Sequence, residues 1–181
     1  VVYTFADDLV GGATNEDSTP ASAVMSSLAC RIVSKWYEKV KRHILEHEFS
    51  IDDLAKMGYS RMPNEGESDF AFLRHAYGTT VICCMVIKNH ALLLHQGDGR
   101  CDVFFADGTV EQPIPWDKRC YDVYTTSLCD DDSAQKMRYC IIDLEKKPVA
   151  AIYMGSDGIE DCFPEDDEGR YCFYRELSGT L

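Results

Sequence analysis

Two aspartates stand where a metal-binding carboxylate would be built. Val149 to Met154 is an apolar run of strand length that leads into Gly155-Ser156-Asp157-Gly158-Ile159-Glu160-Asp161, so a carboxylate is carried at the mouth of a buried strand. A rigid strand fixes that carboxylate, and the glycine after it lets the backbone turn and lets a ligand or ion approach closely. The chain opens on a near echo: Val1-Val2-Tyr3-Thr4-Phe5-Ala6, then Asp7-Asp8, then Gly11-Gly12. If the two strands end side by side, Asp7 and Asp157 offer the oxygen ligands that hard divalent cations prefer. Taken singly, Asp157 reads as a turn residue closing a strand, and Asp7 as a helix cap or loop residue.

The elements that would position them follow from periodicity. After the first strand, Asn15, Asp17 and Ser18 are candidate caps and Pro20 suits a first helical turn. Val24, Leu28, Ile32, Trp36, Val40 and Ile44 recur every four residues, which predicts one long amphipathic helix. Ser50 and Asp53 form a capping-box-like pair opening a short helix that Gly58 ends. Residues 60 to 69 read as loop. Strands are predicted over 79–87, 91–95, 101–106, 139–144 and 149–154, with Asp107-Gly108 a hairpin turn before Thr109-Val110. Strand, long helix, short helix, then antiparallel strands give an α+β fold with helices packed on sheet. The acidic runs Asp130 to Asp132 and Glu165 to Glu168 read as solvated loops.

Composition sets limits on partners. With 31 acidic and 18 basic residues in 181, the formal charge is -13, which repels nucleic-acid backbones and anionic lipid. The same surplus suits divalent cations, because clustered carboxylates are stabilised by positive charge among them. Nine cysteines without a C-x-x-C pair read as free thiols in a reducing cytoplasm. Cys83-Cys84 lies in an apolar run, Val81 to Ile87, far short of the roughly 20 residues of a membrane helix.

Four stretches, taken in order, resemble a known family. Phe5-Ala6-Asp7-Asp8, then Gly78-Thr79-Thr80 leading to Gly97-Asp98-Gly99-Arg100, then Tyr124-Thr125-Thr126-Ser127-Leu128, then Ser156-Asp157-Gly158-Ile159-Glu160-Asp161 resemble the metal-dependent protein phosphatases of type 2C, in their bacterial branch. The resemblance implies a four-layer α/β/β/α sandwich of two antiparallel sheets flanked by helices. It also implies a Mg²⁺ or Mn²⁺ pair between the sheets, with a third ion in many members. By resemblance Asp7 bridges the pair, Asp8 offers a backbone carbonyl, Asp157 is a second ligand and Asp161 a ligand of the third ion. The implied reaction is hydrolysis of phosphoserine and phosphothreonine monoesters on a protein substrate by a metal-activated water. A cognate kinase is a further expected partner; nucleic acid and membrane are not. The Gly97–Arg100 turn is expected to be structural, with Asp98 and Arg100 fixing the hairpin.

Departures from the pattern matter as much. The family's phosphate-gripping arginine and an acidic ligand lie before the first motif, and an Asp-Asn ligand motif lies beyond the last; neither occurs between Val1 and Leu181. Residues 1–181 are therefore read as a single phosphatase-like domain lacking its first strands and its last strand or strands. His75 stands where many members place an aspartate for the third ion, Asp8 replaces a usual glycine, and Leu9 replaces the histidine of the general-acid pair of animal members. Asp8 and His75 support an alternative, a catalytically impaired phosphatase-like binding or regulatory module; the missing end motifs do not, because truncation explains them equally well. A remote alternative is a zinc peptidase, since His43-Ile44-Leu45-Glu46-His47 fits H-x-x-E-H. On a helical wheel both histidines fall near Trp36 and Val40, at the edge of a core, and that alternative leaves Asp7 and Asp157 unexplained.

Overall fold

A computed structural model of the chain describes residues 3–5, 20–121, 124–156, 158, 162–163 and 167–177. Strand β1 (Tyr3–Phe5) is followed by helices α1 (Pro20–Glu46), α2 (Ile51–Lys56) and α3 (Asp69–Ala76). Strands β2 (Val81–Ile87), β3 (His90–Gln96), β4 (Arg100–Phe105) and β5 (Val110–Glu111) come next, and the short helix α4 (Ser133–Lys136) precedes β6 (Arg138–Asp143). Strand β7 (Val149–Gly155) and helix α5 (Asp167–Leu177) complete the order.

The strands form two antiparallel sheets, one ordered β1-β6-β3-β2 and the other β5-β4-β7. Alternation along each strand sorts side chains between two faces. Ala91, Leu93, Cys140 and Ile142 of the first sheet meet Cys101, Val103 and Phe105 of the second in a core between the sheets. Leu92, Leu94, Tyr139 and Ile141 turn the other way, onto Met25 and Ala29 of α1. On the far side of the second sheet, Asp102 and Phe104 meet α5 through Arg170, Tyr171 and Tyr174. The layers are helix, sheet, sheet, helix, the α/β/β/α sandwich expected.

Helix α1 serves two cores because of its own pitch. A repeat of four residues advances about 40° beyond a full turn at 3.6 residues per turn, so a stripe with that spacing winds around the helix. Val24 accordingly stays 57% exposed while Met25 and Ala29 are buried against the sheet, and Val40 and Ile44 are buried against Leu54, Phe72 and Leu73 of α2 and α3. The capping box is present: Asp53 N donates to Ser50 Oγ at 3.3 Å, and Ser50 N donates to Asp53 Oδ2 at 3.0 Å.

Three helices depart from the sequence reading, the shortest being α4, four residues directly after the acidic run at 130–132. Asp69 begins α3, whose N-cap Ser68 accepts from Ala71 N at 3.2 Å; eight residues carry too little periodicity to stand out beside a polar loop. Asp167 begins α5, so the acidic run that was read as a solvated loop ends in a helix. The run at 130–132 also has partners: Asp131 pairs with Arg74 at 2.6 Å and Asp132 with Lys136 at 2.8 Å.

Candidate active site

Strand register brings the relevant ends to one rim of the sandwich. Phe5, the last residue of β1, lies opposite Tyr139, while Arg138 lies opposite His95 near the end of β3. The chain then crosses between the sheets through Gly97-Asp98-Gly99, and Arg100, the first residue of β4, lies opposite Gly155, the last of β7. Strands β1 and β7 thus both end at the rim where this crossover sits. Asp7, Asp8, Asp157 and Asp161, the carboxylate-bearing positions singled out from sequence, lie outside the described residues.

The other motif stretches converge on the same rim. Leu128 N and Ser127 Oγ donate to the Thr79 carbonyl at 2.9 and 3.2 Å. Gly97 N donates to Thr126 Oγ1 at 3.0 Å. Gly99 is pressed against the end of β7: a Cβ there would lie 2.6 Å from the Gly155 carbonyl oxygen and 2.6 Å from Ile82 Cδ1. Gly97 has φ +111°, and a Cβ on it would collide with Thr80. Glycine is required at both positions, at one for backbone conformation and at both for space.

A buried polar network holds the crossover in place. Arg138 Nη2 donates to the Gly97 carbonyl at 2.7 Å, and Nη1 donates to the Pro115 carbonyl at 2.5 Å. Thr126 Oγ1 donates to Asp117 Oδ2 at 3.2 Å, and Arg138 Nε lies 3.4 Å from the same oxygen. A closed ring results: Arg138, Gly97, Thr126, Asp117 and back to Arg138. Arg119 forks onto the Asp117 carboxylate at 2.7 and 2.8 Å. Burial pushes the Asp117 carboxyl up, but the Arg119 hydrogen bonds and the Arg138 charge outweigh it and hold it below the usual carboxylate range. His95 Nδ1 lies 3.2 Å from Arg138 Nη2; burial first and the Arg138 charge second push this imidazole down to about 3. His95 is therefore neutral at neutral pH.

Sequence reasoning missed His95, Asp117, Arg119 and Arg138. The expected hairpin at Gly97–Arg100 is instead a crossover, because β3 and β4 belong to different sheets; Arg100 ties the start of β4 to the segment after β5, with Nη1 donating to Gln112 Oε1 at 2.9 Å and its guanidinium 4.4 Å from the Trp116 ring centroid. Gly97, beside Asp98, takes the ring's backbone bonds. His75 is half-buried with Nε2 3.9 Å from Glu67 Oε1, and Arg61 holds both Glu67 oxygens at 3.0 Å. The histidines of the H-x-x-E-H stretch are exposed; His43 stands edge-on to the rings of Phe49 and Tyr77.

A family model described as protein phosphatase 2C matches residues 12–179 of the chain. No curated protein and no solved structure matches it.

Proposed function

Since the chain belongs to the protein phosphatase 2C family, we propose that it hydrolyses phosphoserine and phosphothreonine monoesters on proteins with a Mg²⁺ or Mn²⁺ pair. The observation that carries this reading is the convergence of Thr79, Gly97, Thr126 and Gly155 on the rim where β1 and β7 end. The proposed ligands are Asp7, the Asp8 carbonyl, Asp157 and Asp161, an all-oxygen set of the kind hard cations prefer. Such a pair supplies Lewis acidity and acidifies water for attack on phosphorus. The net charge of -13 argues in the same direction, since an anionic substrate approaches an acidic chain only where positive charge has been concentrated.

The chain's own contribution is to hold the rim. The Arg138 ring fixes both the N–H and the C=O of Gly97, and Gly99 sets how closely the crossover approaches Gly155, two residues before Asp157. A reducing compartment such as the cytoplasm is supported by nine free cysteines, two of which, Cys101 and Cys140, burial pushes up to about 12. Among the described residues no helix is long and apolar enough to cross a membrane.

A second reading, a phosphatase-like module without turnover, rests on His75, which stands where many members carry an aspartate and faces the Arg61–Glu67 pair. Hydrolysis of p-nitrophenyl phosphate by the full-length protein separates the two. The enzyme reading expects Mn²⁺-dependent turnover that Asp7→Ala and Asp157→Ala each abolish. Absence of metal-dependent turnover would leave the module, and full activity in both variants would refute the proposed ligands.

A further inference from the structure

We propose that β2 is a dimerisation edge, pairing antiparallel with β2 of a second copy of this chain so that two four-stranded sheets join into one of eight strands. The edge strands of the two sheets are β1, β2, β5 and β7. An open edge offers N–H and C=O groups to another strand, and proteins blunt such edges with short strands, bulges, prolines or charges. Strands β1 and β5 are three and two residues long, and β7 carries a bulge where it faces Phe104 and Phe105. Strand β2 has none of these devices. Val81-Ile82-Cys83-Cys84-Met85-Val86-Ile87 holds no charge and no proline, and its register with β3 is unbroken from end to end. Among the described residues no strand lies along its outer side.

Register fixes which backbone groups face outward. The two-residue turn Lys88-Asn89 closes Ile87 onto His90 as a hydrogen-bonded pair. Bonded and non-bonded pairs alternate along an antiparallel ladder, so Val81, Cys83, Met85 and Ile87 turn their N–H and C=O to β3, while Ile82, Cys84 and Val86 direct theirs outward. Pairing centred on Cys84 sets Cys84 against Cys84 of the second copy and Ile82 against Val86 of the second copy, so every outward group meets an outward group. The strand is self-complementary, as a two-fold interface requires.

Side chains and charge favour the same face. Met85, Val86 and Ile87 are 39%, 61% and 46% exposed, and Met85 and Ile87 line an apolar groove of about 360 Å³ with Val24, Leu28 and Leu92. A chain of net charge -13 repels its own copies except where acids are missing. Pro20 to Tyr37 and Thr79 to Asn89, which supply the edge and most of the groove, hold Arg31, Lys35 and Lys88 and no acid. A second copy therefore meets this face without setting carboxylate against carboxylate.

Sedimentation velocity and amide hydrogen exchange of the full chain across a concentration series test this. A concentration-dependent dimer is expected, tighter at high salt because screening relieves repulsion between the copies. Exchange at the Ile82, Cys84 and Val86 amides should slow at least about tenfold from the monomeric to the dimeric range, while the Cys83 and Met85 amides, bonded to β3, are slow throughout. Val86→Lys places a charge on the edge at a position already 61% exposed, and should weaken dimerisation at least about tenfold. Leu45→Lys, at a position 64% exposed on the C-terminal part of α1, should leave it unchanged. A monomer at every concentration overturns the proposal: fast exchange at the three outward amides would then leave the edge to a strand of another protein, and slow exchange would mean that the chain covers the edge itself. A dimer undiminished in Val86→Lys, or one that forms without slowing those amides, overturns it as well.

Discussion

His95 has a tautomer fixed by its neighbour. Arg138 Nη2 can only donate, so His95 Nδ1 accepts and the proton sits on Nε2, which is buried without a hydrogen-bond partner among the described residues. Folding lowers this imidazole from an unfolded value of about 6.5 to about 3. Between those values the unfolded chain takes up a proton that the folded chain refuses, so the contribution is complete above the unfolded value and is lost as pH falls toward the folded one. Urea denaturation of the parent should therefore lose about 3 kcal/mol between pH 6.5 and 4 on this account, at about 1.4 kcal/mol per unit. His95→Asn should lack that share of the slope; identical slopes would contradict it. Little of this was legible in the sequence. His95 and Arg138 are 43 positions apart, and the cue, a histidine at an inward position of an otherwise apolar strand, does not name its partner. The aspartates could be singled out because each stands next to its own signal, an apolar run on one side and glycine beyond.

At the scale of elements, the crossover between the sheets is the most constrained piece of backbone. Gly99→Ala would drive a Cβ to 2.6 Å from the Gly155 carbonyl, and backbone, unlike a flexible side chain, yields only by moving the end of β7. A loss of about 1–3 kcal/mol is expected from such overpacking, read by thermal or urea unfolding, with metal-dependent turnover falling as the residues after Gly155 shift. Unchanged stability and turnover would show that β7 has room to spare. Elements with a local signal were legible: the capping box at Ser50 and Asp53 and the apolar strands appear within a residue or two of their expected bounds. The four-residue stripe of α1 was legible as a helix but not as a helix with two partners, because its winding becomes visible only when Met25 and Val40 are seen facing different cores. Helices α3, α4 and α5 were missed because each begins in or just after polar, acidic sequence and is too short or too polar to show an apolar period.

For the whole molecule, the fourth layer is docked by a buried ion pair beside the rings of Phe104, Tyr153, Tyr171 and Tyr174. Arg170 Nε donates to Asp102 Oδ2 at 2.9 Å, with the two side chains 4% and 0% exposed. Arg170→Leu would leave the Asp102 charge buried without this arginine, at a cost of about 3–5 kcal/mol. The double variant with Asp102→Leu should recover most of that loss in urea denaturation, and failure to recover would assign the effect to packing alone. The α/β/β/α order was anticipated by motif resemblance rather than by periodicity, which gave only α+β. We propose that the rim of this sandwich binds divalent cations through Asp7 and Asp157 and hydrolyses phosphomonoesters. The most direct test is phosphate release by the full-length protein from a phosphothreonine peptide across a Mn²⁺ titration, with the parent and Asp157→Asn side by side. The account predicts turnover that saturates with Mn²⁺ in the parent and a fall in kcat/KM of at least about 100-fold in the variant, roughly 3 kcal/mol of transition-state stabilisation. Turnover independent of metal, or a variant as active as the parent, would contradict it.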